Sequence, residues 1–149
     1  NIIRDEDKHE FQLLKLLKEE KLNYVGSIVL GLNDALVELT GALAGFTLAF
    51  QNARLIAIAG LITGIAASFS MGASEYLSIK SERQKRNPKK AAFYTGIAYL
   101  FTVLFLILPY LILNNVFLSL SITIFTAIFI IFLFTINFFE IIIMLSEIL

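Results

Sequence analysis

The sequence has no cysteine and no tryptophan, a single histidine and only two prolines among its 149 residues. Without cysteine, disulfides and thiolate metal sites are excluded, and the softest common protein ligand is missing. With one histidine, at position 9, the long apolar stretches hold no His-rich metal centre. They hold no nucleophile constellation either, and a lone serine is no argument for catalysis. Cations are missing from those stretches as well. All twelve lie outside them: Arg4, Lys8, Lys15, Lys18 and Lys21 before the first, Arg54 after it, and Lys80, Arg83, Lys85, Arg86, Lys89 and Lys90 in one connection. That six-cation connection is the only feature that nucleic acid could use, and binding to nucleic acid is not expected.

What is present is apolar. Hydrophobic residues make up 58% of the chain and the mean hydropathy is +0.81. Spanning an apolar core of about 30 Å takes roughly 20 helical residues. Four stretches are long enough, at about residues 24–50, 55–79, 91–113 and 116–139. Helices satisfy their backbone hydrogen bonds internally in lipid, and the blocks lack the polar–apolar alternation of barrel strands. The expected fold class is therefore all-α, a polytopic transmembrane helical bundle.

Residues 4–21, "RDEDKHEFQLLKLLKEEK", read as a charged amphipathic helix and not as a signal peptide, which would be a short apolar run behind a basic one. The start at Asn1 points to a piece of a longer chain. Two units are expected: residues 1–21 as an N-terminal amphipathic helix and residues 22–149 as the membrane domain. By the positive-inside rule, the N-terminus and the "KSERQKRNPKK" connection at 80–90 are cytoplasmic, and two intervening spans make the assignments agree.

The spans differ in character. The first two are rich in small residues, including Gly41-x-x-x-Gly45 and Gly60-x-x-x-Gly64, which let helix backbones approach closely within a chain or at a dimer seam. The last two are rich in Phe, Ile and Leu, with Pro109 as a kink or end of the third. Function is expected in the first pair, with the second pair as lipid-facing support.

The zero net charge hides a segregation. Asp34, Glu38, Glu75, Glu140 and Glu147 lie within or beside apolar segments that hold no cation. A charged residue near the bilayer centre costs about 2.5–3.5 kcal/mol on insertion scales, so such residues normally face a bundle interior or cavity and mark an ion path. Helical rise places Glu75 roughly 6 Å and Met71 roughly 12 Å from the cytoplasmic end of the second span, and Asp34 roughly 15 Å and Glu38 roughly 21 Å along the first. Each pair has i, i+4 spacing and shares a face. Two packed helices would present these four as a ladder. Carboxylates suit hard or borderline divalent cations, whereas a thioether favours a softer transition ion. Fe²⁺ fits the mixture best, followed by Mn²⁺, Co²⁺ and Zn²⁺. Asn33, Ser70 and Ser74 are the supporting polar neighbours.

"GLNDALVELTGALAGF" at 31–46 and "SFSMGASEYLSIKSE" at 68–82 together resemble the vacuolar iron transporter family over about residues 22–139. The resemblance implies a homodimeric exporter of Fe²⁺ or Mn²⁺, driven by proton exchange, with the metal path along a dimer interface formed by the first two helices. The metal is cargo, and no prosthetic group is expected. On the same pattern, Asp34 and Met71 are midmembrane ligands and Glu75 is the acidic residue of the second motif. A prokaryotic plasma membrane and a fifth span are also implied. Departures from the family lie in the short basic connection at 80–90, where plant members carry a carboxylate-rich domain, and in Ser27 and Thr63, where plant relatives carry further acids. "EIIIMLSEIL" at 140–149 begins the fifth span or lies at the interface.

Glu6 and His9 stand one helical turn apart, the spacing of di-iron carboxylate bundles, and are otherwise solvated residues of a charged helix. Some prokaryotic relatives look like fusions to a ferritin-like domain, which would make the segment before Lys21 the last helix of an iron-oxidising module. Two other classes compete with transport: a structural or assembly membrane protein, which leaves the intramembrane carboxylates without a reason, and a membrane-bound metal-centre enzyme.

Overall fold

The computed structural model describes the backbone of residues 2–82 and 86–146 and the side chains of residues 24–82 and 86–136. It contains four helices: α1 (Ile2–Phe50), α2 (Ala53–Ser81), α3 (Pro88–Ile112) and α4 (Val116–Ser146). There is no strand among the described residues. The segments Tyr24–Phe50, Ala53–Ser81, Pro88–Ile112 and Val116–Ile136 are each long and apolar enough to cross a membrane, as the sequence predicts.

Each connection contains an asparagine that starts the next helix. Asn52 Oδ1 accepts from the backbone N–H groups of Arg54 and Leu55, Asn87 Oδ1 from those of Lys89 and Lys90, and Asn115 Oδ1 from those of Phe117 and Leu118. These acceptors satisfy amide donors that a helix N-terminus leaves without intrahelical partners. Pro88 follows Asn87 at the first helical position, where its missing N–H costs nothing. Gln51 ends α1 with φ of 49°, the left-handed conformation that turns a chain out of a helix.

Helix α3 is the central element. It packs extensively on both α1 and α2, which touch one another less, while α4 makes only limited contact with α1 and α3. Tyr99, Val103 and Leu106 of α3 are buried against Leu36, Leu39 and Leu43 of α1 and Ile56 of α2. The expectation that the third span is lipid-facing support is therefore corrected. Close approaches at glycines accompany this packing. A Cβ at Gly31 would run into the Thr95 carbonyl, so α1 and α3 are in direct backbone contact there. A Cβ at Gly64 would strike Val103, and one at Gly60 would lie 2.8 Å from Leu43 Cδ2.

The N-terminal segment runs into the first span as one helix, and residues 140–146 continue α4 instead of starting a new element. The side chains of Glu6, His9 and Glu140, and the whole of Glu147, lie outside the described residues.

Candidate functional site

Asp34 lies within the apolar segment Tyr24–Phe50 of α1, about 15 Å from Tyr24 at 1.5 Å per residue. It lines an open groove of about 520 Å³ on the outer face of α1, together with Gly26, Val29, Leu30, Asn33 and Val37. All six residues belong to α1, so the groove opens away from the rest of the chain. Asn33 is exposed in it, and Asp34 is half-buried at its edge. One turn on, the Glu38 carboxyl is close enough to Asp34 to interact with it, as i, i+4 spacing on one helix face dictates.

Glu38 is exposed on its outer side and held on its inner side by α3. The Tyr99 hydroxyl donates to Glu38 Oε2 at 2.8 Å, from a ring that is itself buried. Glu75 on α2 is buried, at 8% exposure, and accepts at Oε1 from the Ser27 hydroxyl at 2.6 Å. The Ser27 carbonyl in turn accepts from Thr95 Oγ1 at 3.0 Å. A carboxyl buried in a membrane segment without a hydrogen-bond donor would be costly, and Ser27 supplies one. Met71 is half-buried against the hydrophobic core, while Ser70 and Ser74 are exposed.

The expected ladder is therefore divided within a single chain. Asp34 and Glu38 come together on α1, Glu75 is tied to Ser27, and neither Met71 nor Glu75 lines the Asp34 groove. Among the described residues, no three His, Cys, Asp or Glu side chains gather as a metal-binding group. Ser27, Asp34 and Gly41 recur every seven residues, as do Gly31, Glu38 and Gly45, which places all six along one stripe of α1. At its Gly31 end the stripe contacts α3. At its Gly41 and Gly45 end, an added Cβ would have no neighbour within 4 Å. Of the two small-residue motifs, Gly60-x-x-x-Gly64 is thus filled by the chain's own Leu43 and Val103, and Gly41-x-x-x-Gly45 is open.

Sequence reasoning missed Tyr99 and Thr95 as site residues. Both lie on α3, four residues apart and so on one face, and hydroxyls in an apolar span are the usual hydrogen-bonding partners between membrane helices. That spacing was the available signal.

No curated protein and no solved structure matches the chain. Residues 25–87 match the model of the VIT family. The matched segment contains the Asp34 motif of α1 and the Met71–Glu75 motif of α2. A match to this family points to metal-ion transport across a membrane, in keeping with a chain that is not an enzyme. Joined to the two motifs and the four apolar helices, it supports the resemblance of the first two spans to the vacuolar iron transporter family.

Proposed function

We propose that the protein exports a divalent transition metal ion from the cytoplasm, with Fe²⁺ the first candidate and Mn²⁺ the second, in exchange for protons and along the interface of a homodimer. The observation that carries this reading is Asp34, a midmembrane carboxylate beside Glu38 that lines a groove open on the outer face of its own helix. An intramembrane carboxylate normally faces a protein interior or an aqueous path. A second copy across the α1 stripe would supply that environment. It would bring a second Asp34 and Glu38 to the first, raising the number of oxygen ligands to what a hard or borderline cation needs. The open Gly41 and Gly45 face supports the same contact, since small residues permit close helix approach.

In this reading Asp34 binds the ion at midmembrane with Asn33 ordering the ligands, and Met71, which a single chain holds outside the Asp34 groove, joins it as a ligand only in the assembled dimer. Glu75 takes the ion from the cytoplasmic side near Ser74 and Ser70, its carboxylate exchanging the Ser27 hydrogen bond for the metal. Glu38 assists release or proton exchange, with the Tyr99 hydroxyl holding it in place between cargoes. The N-terminus and the 80–90 connection face the cytoplasm, as the positive-inside rule requires, and the host membrane is a prokaryotic plasma membrane.

The test is anaerobic Fe²⁺ flux into proteoliposomes containing the full-length protein, with and without a proton gradient, comparing wild type with Asp34→Asn. Gradient-dependent flux that disappears in the variant supports coupled export. Equal flux in the two proteins refutes the role of Asp34, and no flux in folded wild type refutes transport.

A further inference from the structure

The outer face of α2 and α3 carries a second, larger groove of about 810 Å³, away from Asp34. Its walls run from Ile65 to Leu77 on α2 and from Lys89 to Leu100 on α3. At 1.5 Å per residue each wall is roughly 17 Å long, close to half of a hydrocarbon core of about 30 Å. The groove therefore has the depth of one leaflet. Its floor is made of small residues because the two helices nearly touch: a Cβ on Gly72 would lie 3.1 Å from the Ala92 carbonyl oxygen, and one on Gly96 would lie 3.2 Å from that of Ser68. Phe69 and Phe93 line it as well, 76% and 64% exposed.

Only one end is charged. Lys89 lines the groove there beside Tyr76, and Lys80 Nζ lies 5.6 Å from the centre of the Tyr76 ring. The amides of Lys89 and Lys90 are already bonded to Asn87, so the ammonium groups are what an anion would meet. The same arrangement recurs at the far end of the α2–α3 face. A groove of about 570 Å³ runs there between Ala57, Leu61, Phe101 and Leu108, with Arg54 as its sole charged residue.

We propose that the Lys89 groove is a binding site for an anionic phospholipid of the leaflet adjoining the 80–90 connection, with one acyl chain between α2 and α3 and the phosphate on Lys89 and Lys80. Charge complementarity and leaflet depth favour lipid over a second copy. A two-fold contact about the membrane normal would set Lys89 and Lys80 against their own counterparts, and like charges in proximity repel. A soluble phosphate would meet the ammonium groups but leave the apolar length of the groove unused.

The test is native mass spectrometry of the full-length protein released from detergent, loaded in turn with phosphatidylglycerol and phosphatidylcholine of identical acyl chains. Phosphatidylglycerol should be retained about fivefold more, which is ~1 kcal/mol for a cation at an anionic surface. Lys89→Gln, at an exposed position outside the proposed metal path, should remove most of that preference and leave phosphatidylcholine retention unchanged. Ala73→Leu, which fills the groove from an exposed position clear of the helix contact, should lower retention of both lipids. Glycerol 3-phosphate should not displace the bound lipid. Equal retention of the two lipids by wild type, or an unaltered preference in Lys89→Gln, overturns the proposal. Displacement by glycerol 3-phosphate reduces the site to a phosphate contact and overturns it too, as does disulfide cross-linking of two copies through Ala73→Cys, which would make the groove a protein interface.

Discussion

The hydroxyl of Ser27 donates to Oε1 of Glu75 at 2.6 Å, joining α1 to α2 across 48 residues of sequence. Ser27 is itself anchored, since its carbonyl accepts from Thr95 of α3. One serine thus links the three best-packed helices and meets the hydrogen-bonding need of a buried carboxyl.

Ser27→Ala should destabilise the folded protein by about 1–3 kcal/mol, because it removes the donor and leaves a buried acceptor unsatisfied. Chemical unfolding in detergent measures the loss. In a double-mutant cycle with Glu75→Ala, which removes the acceptor, the two losses should not add, since the interaction is shared. Full additivity would mean that the 2.6 Å contact contributes nothing.

Tyr99→Phe keeps the buried ring and removes the donor to Glu38, so stability should fall by only about 1 kcal/mol. The larger consequence should be chemical. A Glu38 carboxyl released from α3 should react faster with a water-soluble carbodiimide, as read by peptide mass. An unchanged rate would show that Tyr99 does not restrain Glu38.

Glycines with the same spacing should respond oppositely. Gly31→Ala drives a methyl group into the Thr95 carbonyl and forces α1 away from α3, a form of overpacking that costs about 1–3 kcal/mol. Gly45→Ala meets nothing in its own chain and should leave monomer stability undiminished, raised by up to about 1 kcal/mol through helix propensity, while weakening self-association. Sedimentation in density-matched detergent separates the two effects. A Gly45→Ala protein that associates as wild type does would remove the α1 stripe from the proposed interface.

Tyr110→Phe tests the far end of the bundle. Thr47 Oγ1 donates its one proton to the Leu43 carbonyl at 2.7 Å, which leaves Tyr110 as the donor in their 2.8 Å contact. Bonds of this kind between membrane helices are worth about 0.6 kcal/mol on average and up to about 1.7. The thermal midpoint should therefore fall modestly, and Fe²⁺ flux should be unchanged, since both residues lie away from Asp34.

Metal should protect Asp34. With saturating Mn²⁺, carbodiimide labelling of Asp34 in membranes should drop several-fold, while that of Glu82, at the exposed end of α2, should remain constant. Labelling of Asp34 that ignores the metal would speak against ligation.

The sequence made the spans legible because hydropathy over a window of helical length is a strong signal, and the expected end of the first span at residue 50 is where α1 ends. Asp34 was legible because a carboxylate without a nearby cation is conspicuous in an apolar run. The role of α3 was not. Thr95 and Tyr99 barely lower the hydropathy of their span, and nothing in one helix's periodicity says which neighbour it will meet. The two glycine motifs make the same point, since identical spacing serves an internal contact at Gly60 and Gly64 and an open face at Gly41 and Gly45. Spacing specifies a smooth surface, and only the assembled bundle determines what lies against it.

Helix α1 runs unbroken for 49 residues, about 73 Å at 1.5 Å per residue. Such a rod keeps angular phase. With 3.6 residues per turn, each residue inserted between Lys21 and Tyr24 would rotate the leading segment by about 100° relative to Asp34, and seven would bring it back to within about 20°. The orientation of the charged leading segment around the membrane normal is thereby geared to that of the carboxylates, and twisting one end of the shaft turns the other.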